Sequence, residues 1–468
     1  MKRIVQLGGV VVVLLAGGCS VVKTPAVASR VKIPEQWSTF EQNARKEEVM
    51  AVGWRAIGGE PLQKLIDLAL QSNRAIEAAI AGTQGASGRY TEATGALLPT
   101  LDGDMGLTRT SPSQGSFQGR VLRGPFSQYN LSAQFNWEID LFGALQARRD
   151  AQKELFKMSD EELKGVRLAV SANVAQCFVT YLHRHALRKV YEEQVGMQES
   201  SLEMVRARRN AGLSSDLDLA QSEAELANVR AAIFDVDARI VETEEACAHY
   251  LGKLVPEAIQ LLADAARDSG KKSLELSSVL PVKTPSEVLR NRPDILAAEY
   301  RLISAGYMHA GAVADLFPRF SLGAALGHLS FLRQDLLDSS SEYWNIVPGV
   351  HVPIFSGLRL SSRIEQAKAD QVKALSNYED SVITALNEVD SQARQFQLAR
   401  NKVATLLGGV AHHQTAYGLA NEQYLHGISD YFQVLESQRQ LILARQNLVL
   451  ADEASCLLAV RLVKAVGG

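Results

Sequence analysis

Apolar and polar positions alternate without a break from Tyr129 to Leu141. Tyr129, Leu131, Ala133, Phe135, Trp137, Ile139 and Leu141 are apolar, and Asn130, Ser132, Gln134, Asn136, Glu138 and Asp140 between them are polar or charged. Side chains on a strand point to alternate faces, so the pattern predicts a strand with one greasy face and one wet face. A tilted strand needs about 9–11 residues to cross a bilayer, whereas a globular strand has about 5–6. The segment is long enough to span a membrane. Read alone it fits a long half-buried strand of a soluble sandwich better, and the rest of the chain reverses that preference.

Upstream, Leu62, Leu65, Ile66, Ala69 and Leu70 have helical spacing, and an Ala-rich helix is expected to run to about Leu97, where Pro99 breaks it. Leu101, Met105 and Leu107 then partly alternate, and a Ser/Gly/Pro-rich stretch leads into the long strand, which predicts a hairpin with a polar loop. After Phe142-Gly143 the period becomes helical again, with Leu163, Val166, Val170, Val174, Cys177 and Tyr181 on one face. Asn210-Ala211-Gly212 stops that helix, and Ser214 or Ser215 is placed to cap the next. In the second helix Leu219, Ser222, Leu226, Val229, Ile233, Val236 and Ile240 form a coiled-coil seam.

The second half repeats this plan. Pro318 answers Pro99, Phe320, Leu322, Ala324 and Leu326 alternate, a polar loop covers about His328 to Glu342, and Trp344, Ile346, Val350, Val352 and Ile354 mark a fourth strand. Phe355-Ser356-Gly357 matches the Phe142-Gly143 corner, and Gly427-Ile428-Ser429 matches Gly212-Leu213-Ser214. At that last offset Leu219, Ser222, Leu226, Val229 and Ile233 fall on Val434, Ser437, Leu441, Ala444 and Leu448, which marks an internal repeat. The expected organisation is a signal peptide over 1–18, a tether over 19–60, repeat 1 over 61–252, a connection over 253–285, repeat 2 over 286–464 and a tail over 465–468. The hairpins fall at about 99–141 and 318–355, and the helix turns at about 209–218 and 424–432.

Composition adds limits. Lys plus Arg number 49 against 52 Asp plus Glu, a net charge of −3, which supplies no electrostatic reason to expect nucleic acid. Beyond the N-terminus there is no uncharged apolar run of about 18 residues, so any membrane crossing falls to strands. Lys2 and Arg3 followed by the apolar Ile4 to Gly18 read as a signal peptide. It ends in LLAGGCS, which resembles a bacterial lipobox and makes Cys19 the expected lipid attachment point. Cys177, Cys247 and Cys456 have no metal or redox spacing and read as buried small hydrophobes. His183 with His185, and His412 with His413, lack ligand spacing on a helix and read as solvated surface residues. With no phosphate loop or nucleophile constellation, neither an enzyme nor a cofactor or metal is expected.

Two strands per repeat give four per chain, and four leave open edges whose unpaired backbone groups would cost several kcal/mol each in lipid. The smallest ordinary closed barrels have about eight strands, so closure needs more than one copy. The long helices have charged outer faces and must lie on one side of the membrane.

Taken with the duplicated plan, WEIDLFG (Trp137 to Gly143) and RPDILAAEYRL (Arg292 to Leu302), followed by Phe317-Pro318 and Ser321-Leu322, resemble signatures of the TolC-like outer-membrane efflux family. The lipobox points to its lipoprotein members, which serve resistance-nodulation-division pumps. The resemblance covers about residues 60 to 464. It implies a mainly α fold with a transmembrane β-barrel: a homotrimer with a twelve-stranded barrel in outer-membrane lipid and a twelve-helix periplasmic tunnel. Such a duct passes small molecules such as drugs outward, receives them from an inner-membrane pump through a periplasmic adaptor, and catalyses nothing. A type I secretion duct differs only in cargo. A periplasmic coiled-coil adaptor would have a single helical hairpin flanked by short soluble strands.

The resemblance also implies residue roles. RNAGLSSDLDL (Arg209 to Leu219) is similar to an adaptor-docking turn, which makes Arg206, Gly212, Leu213 and Asp218 docking candidates, with Gly427 and Ile428 in the second repeat. Arg209 stands where many members carry Tyr, and Tyr424 holds the equivalent place in repeat 2. Docking and simple helix capping are both open for these tip charges. Phe432 and Glu436 match an apolar plug and an acidic ring at the periplasmic gate; the alternative for Glu436 is an ion pair with Arg439.

Overall fold

The computed structural model describes residues 30–35, 37, 53–122, 124–269 and 284–468. Cys19, the signal peptide and most of the tether lie outside them. Among the described residues the chain runs α1 (Arg55–Ser72), α2 (Arg74–Gly95), β1 (Thr100–Thr110), α3 (Phe117–Leu122), β2 (Phe126–Ile139), α4 (Ala144–Asn210), α5 (Asp216–Leu251), α6 (Val255–Asp268), α7 (Pro285–Asn291), α8 (Pro293–Ala314), β3 (Arg319–Ser330), β4 (Glu342–His351), α9 (Arg359–Leu425) and α10 (Tyr431–Ala465). These residues are mostly helical, with one four-stranded sheet among them. Among the described residues no helix is long and apolar enough to cross a membrane.

The chain forms two compact units. One consists of Ala81–Glu161 and Leu296–Asp380 and holds the sheet. Its strands are antiparallel in the order β1-β2-β3-β4. Each strand-to-helix corner uses a glycine with positive φ, Gly143 at 82° and Gly357 at 57°, a conformation that a Cβ disfavours. The WEIDLFG motif has a physical role here. Asp140 Oδ2 accepts the Gln146 N–H at 2.7 Å at the start of α4, and the Phe142 ring stacks on Phe317 with centroids 4.9 Å apart.

The second unit is built from Val31–Ile80, Glu162–Ile295 and Ser381–Gly468. Its core packs Ile57, Leu62, Ile66 and Ala69 of α1 against Val174, Phe178 and Val179 of α4, Leu251 of α5, Leu262 of α6, and Val460 and Val463 of α10. The RPD triplet braces this unit. Buried Arg292 bonds Asp294 and Glu388, each at 2.8 Å, and donates to the Ala465 carbonyl at 2.9 Å, joining the start of α8 to α9 and to the end of α10.

Several expectations need correction. The helix expected from Leu62 to Leu97 is two helices, because Asn73 leaves the helical conformation. Its Oδ1 accepts the Ala75 N–H at 2.9 Å and its Nδ2 donates to the Tyr250 carbonyl at 2.8 Å. A further helix, α6, lies in the stretch read as a connection over 253–285; Pro256 opens it, and Ala258, Leu262 and Ala265 bury one face.

Cys177 and Cys247 are not independent small hydrophobes. They form a disulfide between α4 and α5, with Cα atoms 5.6 Å apart. Cys456 is free and buried. His183 is not solvated. It is 7% exposed, with Nδ1 2.8 Å from the Val179 carbonyl and Nε2 3.0 Å from Asp452 Oδ2. Its neighbour His185 is exposed.

Candidate functional site

Two regions carry the chemistry, the four-stranded sheet and the pair of helix turns. In the sheet, cross-strand partners share a face, so register decides whether the apolar rows of separate strands line up. They do. Leu101, Met105 and Leu107 of β1 pair with Phe135, Leu131 and Tyr129 of β2. Ala133, Phe135, Trp137 and Ile139 pair with Leu326, Ala324, Leu322 and Phe320 of β3, which pair in turn with Trp344, Ile346, Pro348 and Val350 of β4. The result is one apolar face across four strands, with Met105 83% and Trp344 73% exposed. In water such a face would be a severe liability. Strand lengths of 11, 14, 12 and 10 residues match a bilayer crossing.

The opposite face carries Asn130, Ser132, Gln134, Asn136 and Glu138 of β2 with Ser321, Tyr343 and Asn345. Tyr343 donates across the sheet to Asn130 Oδ1 at 3.3 Å. Among the described residues the outer edges of β1 and β4 have no strand partner.

The two helix turns are near copies of each other. Gly212 and Gly427 have φ of 72° and 71°. In the first turn the Gly212 N–H bonds the Arg209 carbonyl and the Leu213 N–H the Arg208 carbonyl. In the second, Gly427 and Ile428 bond Tyr424 and Gln423 in the same way. Both are Schellman closures, in which the residue after the glycine ordinarily packs back on its helix. Here Leu213 and Ile428 are 67% and 75% exposed.

Ser215 caps α5. Its Oγ accepts the Asp218 N–H at 3.1 Å while Asp218 Oδ2 accepts the Ser215 N–H at 3.0 Å, and Ser214 Oγ also donates to Asp218. Burial works against the Asp218 carboxylate, but these hydrogen bonds win and hold it below its usual range. Asp430 caps α10 by accepting the Gln433 N–H. Arg206 is paired with Glu223 across the hairpin at 2.8 Å. The docking candidates thus divide: Arg206 and Asp218 are engaged within the turn, Gly212 and Gly427 shape it, and Leu213 and Ile428 face outward.

At the gate candidates, Phe432 is 56% exposed and Glu436 accepts from Gln440 Nε2 at 2.8 Å. The considered partner of Glu436, Arg439, turns instead to buried Glu225 of α5, 2.5 Å away. Beneath the turns, Val205, Tyr424, Tyr431, Val434 and Leu435 form a small core. Gln198 Nε2 donates to Ser222 and to the Tyr431 hydroxyl beside it. Arg208 lies over the Tyr424 ring at 4.5 Å and donates to the Tyr424 and Leu425 carbonyls. Sequence spacing did not single out Arg208; the Tyr at position 424 and the basic end of α4 were the available signals.

The family model for outer membrane efflux protein matches residues 65–253 and 284–468. The chain belongs to this outer membrane efflux protein family. Similar curated relatives include the solvent efflux pump outer membrane protein SrpC of Pseudomonas putida, 27% identical over 97% of this chain and 96% of that protein. The cation efflux system protein CusC of Escherichia coli is 26% identical over 98% and 97%. A solved membrane protein from Pseudomonas aeruginosa is similar with a TM-score of 0.86 and 26% identity, over 96% of this chain and all of that one. As a member of the efflux family the chain is an exit duct located in the outer membrane. It is a transport channel, not an enzyme.

Proposed function

We propose that three copies of this chain close a twelve-stranded barrel in the outer membrane, continued by a tunnel of twelve long helices in the periplasm. The single observation that carries this reading is the alignment of four apolar rows on one sheet face, opposite a polar face suited to a water-filled lumen. The unpaired edges of β1 and β4 call for neighbouring copies. Cys19 carries the covalent lipid anchor. The duct passes small molecules such as drugs and draws no energy of its own. Transport is driven by an inner-membrane pump of the resistance-nodulation-division type, which reaches it through a periplasmic adaptor. The adaptor docks on the turns at Gly212-Leu213 and Gly427-Ile428, where two outward apolar side chains support a packing contact. Phe432 and Glu436 narrow the tip, and adaptor contact shifts the balance between closed and open tips.

The test compares two substitutions on one strand. Leu131→Arg places a charge on the lipid face, at about 2–4 kcal/mol near the bilayer centre, and should block assembly in the outer membrane. Gln134→Arg on the polar face should assemble normally and shift planar-bilayer conductance toward anions. Equal tolerance of both changes would overturn the facing. Light scattering in detergent should give the mass of three chains, and a stable monomer or dimer would overturn the barrel count.

A further inference from the structure

We infer that His183 of α4 with Asp452 and Cys456 of α10 forms a binding site for a zinc-like divalent cation. The nearest nitrogen, oxygen and sulfur atoms of these three side chains all lie within 4.8 Å of one another. Asp452 and Cys456 are one helical turn apart and so share a face of α10, while His183 reaches them from α4.

Hydrogen bonding at the imidazole supports a cation here. The Val179 carbonyl can only accept, so at 2.8 Å it requires a proton on Nδ1. In the neutral ring Nε2 then carries a lone pair, and it faces a carboxylate oxygen 3.0 Å away. A positive centre must lie between them, and the place taken by a proton in a His183–Asp452 ion pair is the place a divalent cation would take. An Nδ1–H held by a backbone carbonyl is also the arrangement that orients metal-bound histidines and raises their basicity.

Tetrahedral bonds of about 2.0–2.1 Å to nitrogen and oxygen put those atoms about 3.3 Å apart. A small outward shift of the Asp452 side chain, which is 39% exposed, opens the observed pair to that value. Its exposure also supplies an entry path. Cys456 adds a third argument. It is a buried thiol left unpaired while Cys177 and Cys247 form a disulfide, and its sulfur ligates a metal as the thiolate. A bound cation supplies the missing counter-charge and displaces the thiol proton to solvent, together with any proton held on Nε2. The donor set of one imidazole nitrogen, one carboxylate oxygen and one thiolate sulfur favours Zn²⁺ over Mg²⁺ or Ca²⁺, which prefer oxygen alone. It leaves a fourth position for water. Asp452 and Cys456 alone do not make a site, and the third ligand, His183, comes from a helix far away in sequence.

The experiment uses the full-length protein in detergent, with any affinity tag removed and bound metal stripped by chelator. Titration with Co²⁺ should give one equivalent per chain, with a thiolate-to-cobalt charge-transfer band in the near ultraviolet that Zn²⁺ abolishes. Cys456→Ser should remove the band, and His183→Gln and Asp452→Asn should each weaken binding at least about tenfold. Circular dichroism and an intact Cys177–Cys247 disulfide check the fold, and the half-exposed Asp452→Asn change keeps the test decisive if His183→Gln does not fold. Absence of the band in the native protein would overturn the site and leave a His183–Asp452 ion pair. Binding unchanged by Cys456→Ser and Asp452→Asn would overturn it equally.

Discussion

Arg208 sits at the end of α4 and holds the end of α9. Its Nη1 donates to the Tyr424 carbonyl at 3.0 Å and to that of Leu425 at 3.4 Å, and its guanidinium lies 4.5 Å from the Tyr424 ring centroid. A hydrogen bond from a charged group contributes about 1.5–3 kcal/mol, toward the lower end at a half-exposed site. The ring contact adds about 0.5–1 kcal/mol. Arg208→Ala therefore removes about 2–3 kcal/mol of attraction between the two helical hairpins. At about 1.4 kcal/mol per decade, the balance between joined and separated hairpins should shift roughly 30- to 150-fold toward separation. Single-channel recording in planar bilayers should show a rise in open-time fraction, and hydrogen exchange should quicken at the amides around both turns. Arg208→Lys keeps the charge but loses the flat face over Tyr424, so it should fall between. If Arg208→Ala leaves both open time and exchange unchanged in protein with native circular dichroism, the latch does not hold the hairpins together and the reasoning fails.

Replacing Cys177 and Cys247 by Ala should destabilise the long helices α4 and α5 by up to about 4 kcal/mol, the chain-entropy value for a loop of this size; a denaturation midpoint that does not move relative to the oxidised protein would refute this. Arg292→Met should cost about 1.5–3 kcal/mol, because half-exposed Asp294 and Glu388 and the Ala465 carbonyl lose their charged donor, and restoring part of the loss by a second change of Glu388 to Gln would identify the unpaired charge as a cause. The depressed Asp218 carboxyl stabilises the α5 cap above its unfolded value, and this contribution is lost as pH falls through the folded value, below about pH 4. Exchange at the first amides of α5 should therefore show an added acid-induced opening that Asp218→Asn lacks. Glu436→Ala should reduce cation preference in bilayer recordings, and unchanged selectivity would exclude an acidic ring.

The strands were legible because their side-chain period of two is written into Tyr129 to Leu141 and into Phe320 to Leu326. The turns were legible from Gly212 and Gly427, which a left-handed backbone requires. What escaped depended on side chains meeting from distant segments. The Cys177–Cys247 bond requires the register of two antiparallel helices, and no local spacing encodes it. His183 looked like a surface residue because its helix face is covered by α10, contributed by the second repeat. Arg439 had an acceptable local partner in Glu436, yet buried Glu225 on another helix offers a less solvated carboxylate. Asn73 reads as one more polar residue in an Ala-rich run until the Tyr250 carbonyl is placed beside its side chain.

The disulfide between α4 and α5 limits how the tip can move. A covalent link at Cys177 and Cys247 forbids the two helices from slipping past one another by a helical turn, a ratchet of about 5.4 Å that packed helices otherwise permit. Beyond the link, α4 continues from Cys177 to Asn210, an arm of about 50 Å at 1.5 Å per residue. Bending remains free where sliding does not, and the arm amplifies it: a rotation of about 10° at the link carries the end of α4 through roughly 9 Å, given that length. Cys177 and Cys247 therefore act as a fulcrum, turning a small flexure deep in the helical body into a wide displacement at the turns.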